Sequence, residues 1–272
     1  MAPPSQLSLI QQLSEYDTAL IANTIGYVDP TPDHEFYLGG SIASVTPTLG
    51  PTVGLAVTCE VDTSSPGGSS SMDLYFQMLK EMQAMNVPVV LVAKTVGSRP
   101  DHECVLGDGM AKMLHGAGCV GCVTDGGVRD VEGMLTVPFA AYSRGRTIHH
   151  CAIRFKTINQ PIEIGGITVN PGDMIHANLG GVIKIPAACL EKLPERCAAM
   201  RAFEHDVHCV WRQTALSIDE KRAAVGPLLK KYQLTPYARP YFADNSVSTV
   251  QDARTLSPAS PLTTSSREPK RT

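Results

Sequence analysis

Apolar residues along the first part of the chain recur three and four apart over residues 6–25, the spacing of one or two amphipathic helices. Residues 29–50 lose that period and mix Pro, Gly and Thr, which reads as loop. Residues 53–61, with the run GLAVTCEV, predict a buried strand. The stretch SSPGGSSS at 64–71 predicts a flexible loop leading into a helix over residues 72–85. A strongly apolar strand follows at 87–96, then a helix over 106–115 that stops near Gly116 and Gly118. Residues 119–124 predict a short strand, 128–135 a short helix and 139–142 another strand.

The pattern changes after residue 148. Short β-rich runs at 162–164, 167–169, 174–176 and 182–185 are separated by Gly-Gly and Pro-Gly-Asp turns, as in a meander or small barrel-like layer. Helical spacing returns over residues 186–222. Beyond about residue 245 the chain is rich in Ser, Thr and Pro and poor in large apolar residues, so residues 246–272 are expected to be a disordered tail. Helices alternating with strands, plus a β-rich insert, predict an α/β fold with a single compact core spanning residues 1–245.

Composition narrows the function classes. Of 272 residues 43% are hydrophobic and 18% charged, enough apolar surface for one large core. The longest apolar run, at residues 87–93, is far short of the roughly 20 residues a membrane helix needs. The first residues lack a basic segment followed by an apolar one, so no secretory leader is expected. Net charge is −3 and the Lys and Arg residues are scattered, which speaks against a nucleic-acid partner. Eight cysteines without a leader suggest free thiols in a reducing, cytoplasmic setting.

Candidate chemistry concentrates between residues 107 and 130. The quartet Gly107, Asp108, Gly109 and Met110 opens the expected helix at 106–115. A Gly-flanked helix N-terminus offers backbone N–H groups and partial positive charge to a carboxylate or phosphate; it also reads as an ordinary Asp cap. Lys112 occupies the third glycine position of a dinucleotide fingerprint, so that motif is absent. Downstream, the TDGGVRD run at 124–130 follows a buried strand, where α/β proteins place ligands. Asp130 suits a hard cation such as Mg²⁺, and Arg129 suits a carboxylate or enolate oxygen. A turn with a surface ion pair is the plainer alternative.

The stretches GDGMAKMLHGAGCVGCVTDGGVRDVEGM and PIEIGGITVNPGDMIHANLGGVIKIP resemble the RraA-like family, which includes class II 4-hydroxy-4-methyl-2-oxoglutarate aldolases. The resemblance covers roughly residues 15–220 and includes an acidic residue, twenty intervening residues, then Arg-Asp, matched by Asp108, Arg129 and Asp130. It implies an α/β/β-layered domain of the swivelling phosphohistidine-domain type, with N- and C-terminal helices. It also implies that Asp130 ligates Mg²⁺ or Mn²⁺ directly and that Asp108 holds a metal-bound water. Backbone N–H groups of residues 107–110 would bind the carboxylate of a 2-keto acid, and Arg129 would face its keto oxygen. A glutamate from a neighbouring subunit is expected too, with Glu204 as the candidate, in a homotrimer or homohexamer. Aldol cleavage and oxaloacetate decarboxylation are the implied reactions, both through pyruvate enolate. Two alternatives stand beside this: a non-catalytic ribonuclease-regulator-like protein, and a specialised-metabolism enzyme reusing the same site. This chain departs from many relatives at Asn23-Thr24 and in the less acidic stretch at residues 178–181.

Other groups carry weaker signals. Cys119 and Cys122 have redox or zinc spacing but lie in an expected buried strand, so buried thiols are expected. His149, His150 and Cys151, and likewise His205, His208 and Cys209, lack the paired spacing of a zinc site, although His205 and His208 share a helix face. Asp101, His102 and Glu103 read as a solvated loop, Trp211 as a helix-packing residue, and Asp125 as support for the Gly126-Gly127 turn.

Overall fold

The computed structural model describes residues 5–67 and 70–235. The expected tail at 246–272 and the end of the 1–245 domain lie outside the described residues. The first helical pattern resolves into α1 (Gln6–Leu13) and α2 (Thr18–Ile25). They are separate because Ser5 and Asp17 each cap a helix start, accepting from the N–H of Ser8 and Leu20. The 29–50 region is mostly irregular and contains the two-residue β1 (Ala43–Ser44).

A parallel βα succession follows: β2 (Thr52–Asp62), α3 (Asp73–Met85), β3 (Val89–Thr95), β4 (Cys104–Leu106), α4 (Asp108–Gly116), β5 (Cys119–Thr124), β6 (Gly127–Val128), α5 (Val131–Met134) and β7 (Ala140–Ser143). Then come β8 (Gly145–Arg146), β9 (Arg154–Ile158), β10 (Ile162–Ile164), β11 (Ile167–Val169), β12 (Met174–Asn178) and β13 (Gly181–Ile185). The 186–222 pattern divides into α6 (Leu193–Trp211) and α7 (Ile218–Lys231), with Ser217 and Glu220 forming a capping box that starts α7.

The large sheet has the order β1-β7-β5-β3-β2-β12-β13, with β9 also on β2; it curls into a nearly closed barrel-like wall. Its centre, β7-β5-β3-β2, is parallel, and β12 joins β2 antiparallel. The residues of β3 explain why its sequence is apolar without interruption. Val89, Leu91 and Ala93 face the core under α3 and α4, while Val90 and Val92 face the interior filled by the β10–β11 hairpin. A third core joins α1, α2, α6 and α7 to β2, β12 and β13. The expected α/β/β layering is therefore present, with helices at both ends of the described residues.

A second, small parallel sheet has the order β4-β6-β8. Its strands follow β3, β5 and β7 in sequence, and so collect at the C-terminal ends of the parallel strands. That is where ligands sit in open α/β sheets.

Candidate active site

The small sheet assembles the site. Gly107 follows β4, Arg129 and Asp130 follow β6, and the backbone N–H of Arg129 donates to the Leu106 carbonyl at 2.9 Å. The Gly107 quartet and the Arg-Asp pair, with eighteen residues between them, thus meet through one parallel register. No side chain intervenes: a Cβ on Gly107 would lie 3.1 Å from Arg129 Nε and 3.3 Å from Asp130 Oδ2. Asp130 adopts a left-handed conformation (φ 55°, ψ 39°), which Asp tolerates better than most residues. That conformation turns the chain from β6 directly into α5.

Asp108 is the first residue of α4 and packs against α5. A Cβ on Gly133 would approach Asp108 Cβ to 2.7 Å and Oδ2 to 2.9 Å, so glycine there permits the close helix approach. Lys112 Nζ lies 2.6 Å from Asp108 Oδ2. This ammonium, one turn along the helix, holds the Asp108 carboxyl below its usual range, so Asp108 is ionised at neutral pH. Asp108 and Asp130 side chains are 37% and 38% exposed, open enough to meet a ligand. Gly107 supplies no side-chain cap, and the first-turn N–H groups of α4 have none from that position. Arg129 Nε lies 3.3 Å from Asp130 Oδ2.

The donor set decides which metal this arrangement suits. Among the described residues no three His, Cys, Asp or Glu side chains gather into a cation site. Two exposed carboxylates, all oxygen and without sulfur or imidazole, match Mg²⁺, which keeps several waters and takes one or two carboxylates plus substrate oxygens. Glu204 lies in α6, whose main packing partners are α2, α7 and α1, and it accepts a hydrogen bond from Asn23 Nδ2 at 3.1 Å. Within a single chain it belongs to a different layer from Asp108, Arg129 and Asp130.

Behind the site, Asp125 at the end of β5 binds Lys94 Nζ at 2.5 Å and accepts from the Thr95 N–H at 2.8 Å. It ties β5 to β3 rather than supporting the Gly126-Gly127 turn, where the Gly126 N–H donates to Thr124 Oγ1 at 3.0 Å. Glu103 corrects the sequence reading. It is 1% exposed rather than solvated, with its carboxylate accepting from the Thr63 N–H at 2.8 Å and from the Thr63 and Ser64 hydroxyls. Those donors satisfy the buried charge and tie β4 to the end of β2. Asp101, in contrast, is exposed and pairs with Arg144.

Cys119 and Cys122 are buried, and burial raises both thiols; that of Cys119 is pushed up to about 12. Such thiols are inert. His205 and Cys209 lie 3.7 Å apart on the exposed face of α6. Trp211 is partly exposed and tilts against His208 at the end of α6, rather than filling the core. Sequence reading overlooked Lys112, although its i,i+4 spacing from Asp108 signals the pair. It also overlooked Arg144, Arg146 and Glu132, whose proximity depends on the β6–β8 pairing.

A family model described as Aldolase/RraA matches residues 33–184, more than half of the chain, a stretch that includes Asp108, Arg129 and Asp130. A Halalkalibacterium halodurans protein named "Putative 4-hydroxy-4-methyl-2-oxoglutarate aldolase" is 37% identical over 98 residues, covering 35% of this chain and 44% of that protein. Protein DlpA of Legionella pneumophila is 34% identical over 92 residues, 32% of this chain and 15% of its own. This chain therefore matches less than half the length of either relative. Among solved structures, an uncharacterized protein from Pseudomonas syringae superposes with a TM-score of 0.60 at 23% identity, covering 82% of this chain and 100% of that one. Streptomyces coelicolor RraAS2, described as an unusual member of the RNase ES inhibitor RraA protein family, gives 0.55 at 20% identity, covering 79% and 99%. At these identities the two structures speak for the fold alone. Together with the family match, they support one conclusion: the chain belongs to the RraA-like family.

Proposed function

We propose that this protein is a divalent-metal-dependent carbon–carbon lyase that acts on 2-keto acids and releases pyruvate. The observation that carries the reading is the convergence of Asp108, Arg129 and Asp130 at Gly107, whose missing side chain lets Arg129 and Asp130 approach the start of α4. The named aldolase relative supports the same class.

Asp130 would hold the cation directly and Asp108 through water, with Glu204 of a neighbouring copy completing the set in a homotrimer or homohexamer. When bound, Mg²⁺ or Mn²⁺ supplies Lewis-acid polarisation of the keto acid oxygens. The chain's own groups do the rest. N–H groups of residues 107–110 orient the 1-carboxylate at the positive end of α4. Arg129, permanently charged, faces the keto oxygen and stabilises the negative charge that develops there. Ionised Asp108 holds a water that takes the C4 hydroxyl proton. The C3–C4 bond then breaks; its electron pair forms the enolate C=C as the carbonyl pair moves onto oxygen. The C4 fragment departs as a carbonyl compound, and the water at Asp108 returns the proton taken from the C4 hydroxyl to C3, yielding pyruvate. In oxaloacetate the bond to CO₂ breaks instead, giving the same enolate without a base. The presence of Asp130 directly after Arg129 favours this reading over a purely protein-binding regulator.

The test is pyruvate release from oxaloacetate and 4-hydroxy-4-methyl-2-oxoglutarate, with Mg²⁺ and after EDTA. Release that stops on chelation and returns with metal is expected. Absence of metal-dependent release from any 2-keto acid overturns the reading. Binding of Mn²⁺, followed by its electron paramagnetic resonance signal, checks the cation independently: wild type binds and Asp130→Ala does not.

A further inference from the structure

The three strands of the small sheet end side by side, and the third end has no part in the chemistry above. β4 leads to the Gly107 quartet, β6 to Arg129 and Asp130, and β8 contains Arg146. Val128 is paired with Arg146, and the Thr147 N–H donates to the Val128 carbonyl at 2.9 Å. Neighbouring strands are about 4.8 Å apart, so the three ends form a row roughly 10 Å long. A cavity of about 210 Å³ runs from the starts of β4 and β6, at Asp101, Gly126 and Gly127, along β8 to Arg146 and Thr147, with Arg144 also in its wall. It is smaller than the roughly 300–1,000 Å³ of drug-sized pockets, a size for part of a small metabolite. Arg144, at the bend between β7 and β8, and Arg146, in β8, both line this cavity.

Their present partners do not lock them. Arg144 Nη2 meets Asp101 at 2.9 Å and Arg146 Nη1 meets Glu132 at 3.0 Å, with both carboxylates about four-fifths exposed. Exposed pairs of this kind hold weakly. A carboxylate entering the cavity exchanges one exposed partner for a bidentate one in a more enclosed place. Glu132 opens α5 and is also held by a backbone N–H, so it remains satisfied when Arg146 moves. Its glycines let the cavity wall pack closely: a Cβ on Gly127 would meet Thr147 Cγ2 at 2.6 Å, and one on Gly126 would meet Thr95 Cγ2 at 2.7 Å.

We infer that Arg146, assisted by Arg144, is the specificity cation that holds a carboxylate at the far end of the substrate. The 1-carboxylate sits at the end of β4, the keto group at the end of β6 and the distal carboxylate at the end of β8. This rests on the 2-keto acid reading of the site, so its test includes binding as well as turnover. Calorimetry compares 2-oxoglutarate with 2-oxobutyrate, in the presence of Mg²⁺, for wild type, Arg146→Gln, Arg146→Lys and Arg144→Gln/Arg146→Gln. Circular dichroism verifies that each variant is folded. Wild type is expected to prefer 2-oxoglutarate, and the double variant to lose roughly tenfold or more of that preference. Arg146→Lys retains part of it, keeping the charge without the fork. In turnover, the KM for a dicarboxylic keto acid rises more than kcat falls. Equal affinity of wild type for the two probes, failure to bind either, or an unchanged preference in the double variant overturns the inference. A binding preference without pyruvate release leaves the subsite standing and removes the lyase reading; pyruvate release without a preference does the reverse.

Discussion

Asp108 and Lys112 show how one turn of helix sets a protonation state. The Lys112 ammonium at 2.6 Å favours the charged carboxylate and is the largest cause of its lowered pKa. Lys112→Ala removes that cause, so the Asp108 pKa rises toward the ordinary carboxylate range and the carboxylate protonates at higher pH. The acidic limb of the kcat/KM profile for aldol cleavage is therefore expected to shift upward in pH. A limb that stays in place, with activity otherwise intact, separates Asp108 from proton transfer. At Arg129 the expected effect is on rate: Arg129→Ala loses about 10²–10³ in kcat, the loss typical of removing one oxyanion partner. Thermal unfolding should remain cooperative, because the side chain is partly exposed at the rim of the site. The Asp-to-Arg-Asp spacing made these residues legible in the sequence. Glu103 was not legible: an acidic residue in a polar segment reads as solvated, and only the Thr63 and Ser64 donors brought by β2 make its burial tolerable.

Among the elements, the tie between α1–α2 and β12 depends on one histidine. His176 is fully buried, its Nδ1 2.9 Å from Thr18 Oγ1 and its Nε2 3.2 Å from the Leu13 carbonyl. The carbonyl only accepts, so Nε2 carries the proton and Nδ1 accepts from the hydroxyl of Thr18. Burial depresses its pKa from 6.5 to about 4. The folded state thus stays neutral where the unfolded chain takes up a proton. This contribution is full above pH 6.5 and is lost as pH falls toward 4, on the order of 3 kcal/mol in all. Urea unfolding from pH 7 to 4 should show that loss in wild type. His176→Gln and His176→Asn should show a flatter dependence, even where they lower stability at pH 7. An unchanged slope would assign the acid sensitivity elsewhere.

The other elements divide by how local their causes are. β3 and β5 were legible because burial on both faces leaves a continuous apolar run. β9, with the sequence RFKTI, was not, because its half-exposed residues form a strand only by pairing with β2. β4, β6 and β8 are two or three residues long, too short for any period, and exist through one another. The sequence pattern 186–222 ran two helices together, since apolar spacing continues across the turn that Ser217 ends.

At the scale of the whole molecule, the parallel strands raise short loops that pair again as a second sheet, and that sheet positions the chemistry. No helix of the described residues is long and apolar enough to cross a membrane. Glu204 lies in a different layer of its own chain, so its proposed role requires another copy. Light scattering is expected to give three or six times 29.1 kDa, and a monomer would remove Glu204 from the site. The central claim is that Arg129 and the aspartates stabilise pyruvate enolate, whatever substrate generates it. Exchange of the pyruvate methyl protons in D₂O, followed by proton NMR, tests this without an aldol substrate. Wild type with Mg²⁺ should exchange them, and Arg129→Ala, Asp130→Ala and chelated wild type should not. No exchange by the wild type, or exchange undiminished in Arg129→Ala, would contradict the account.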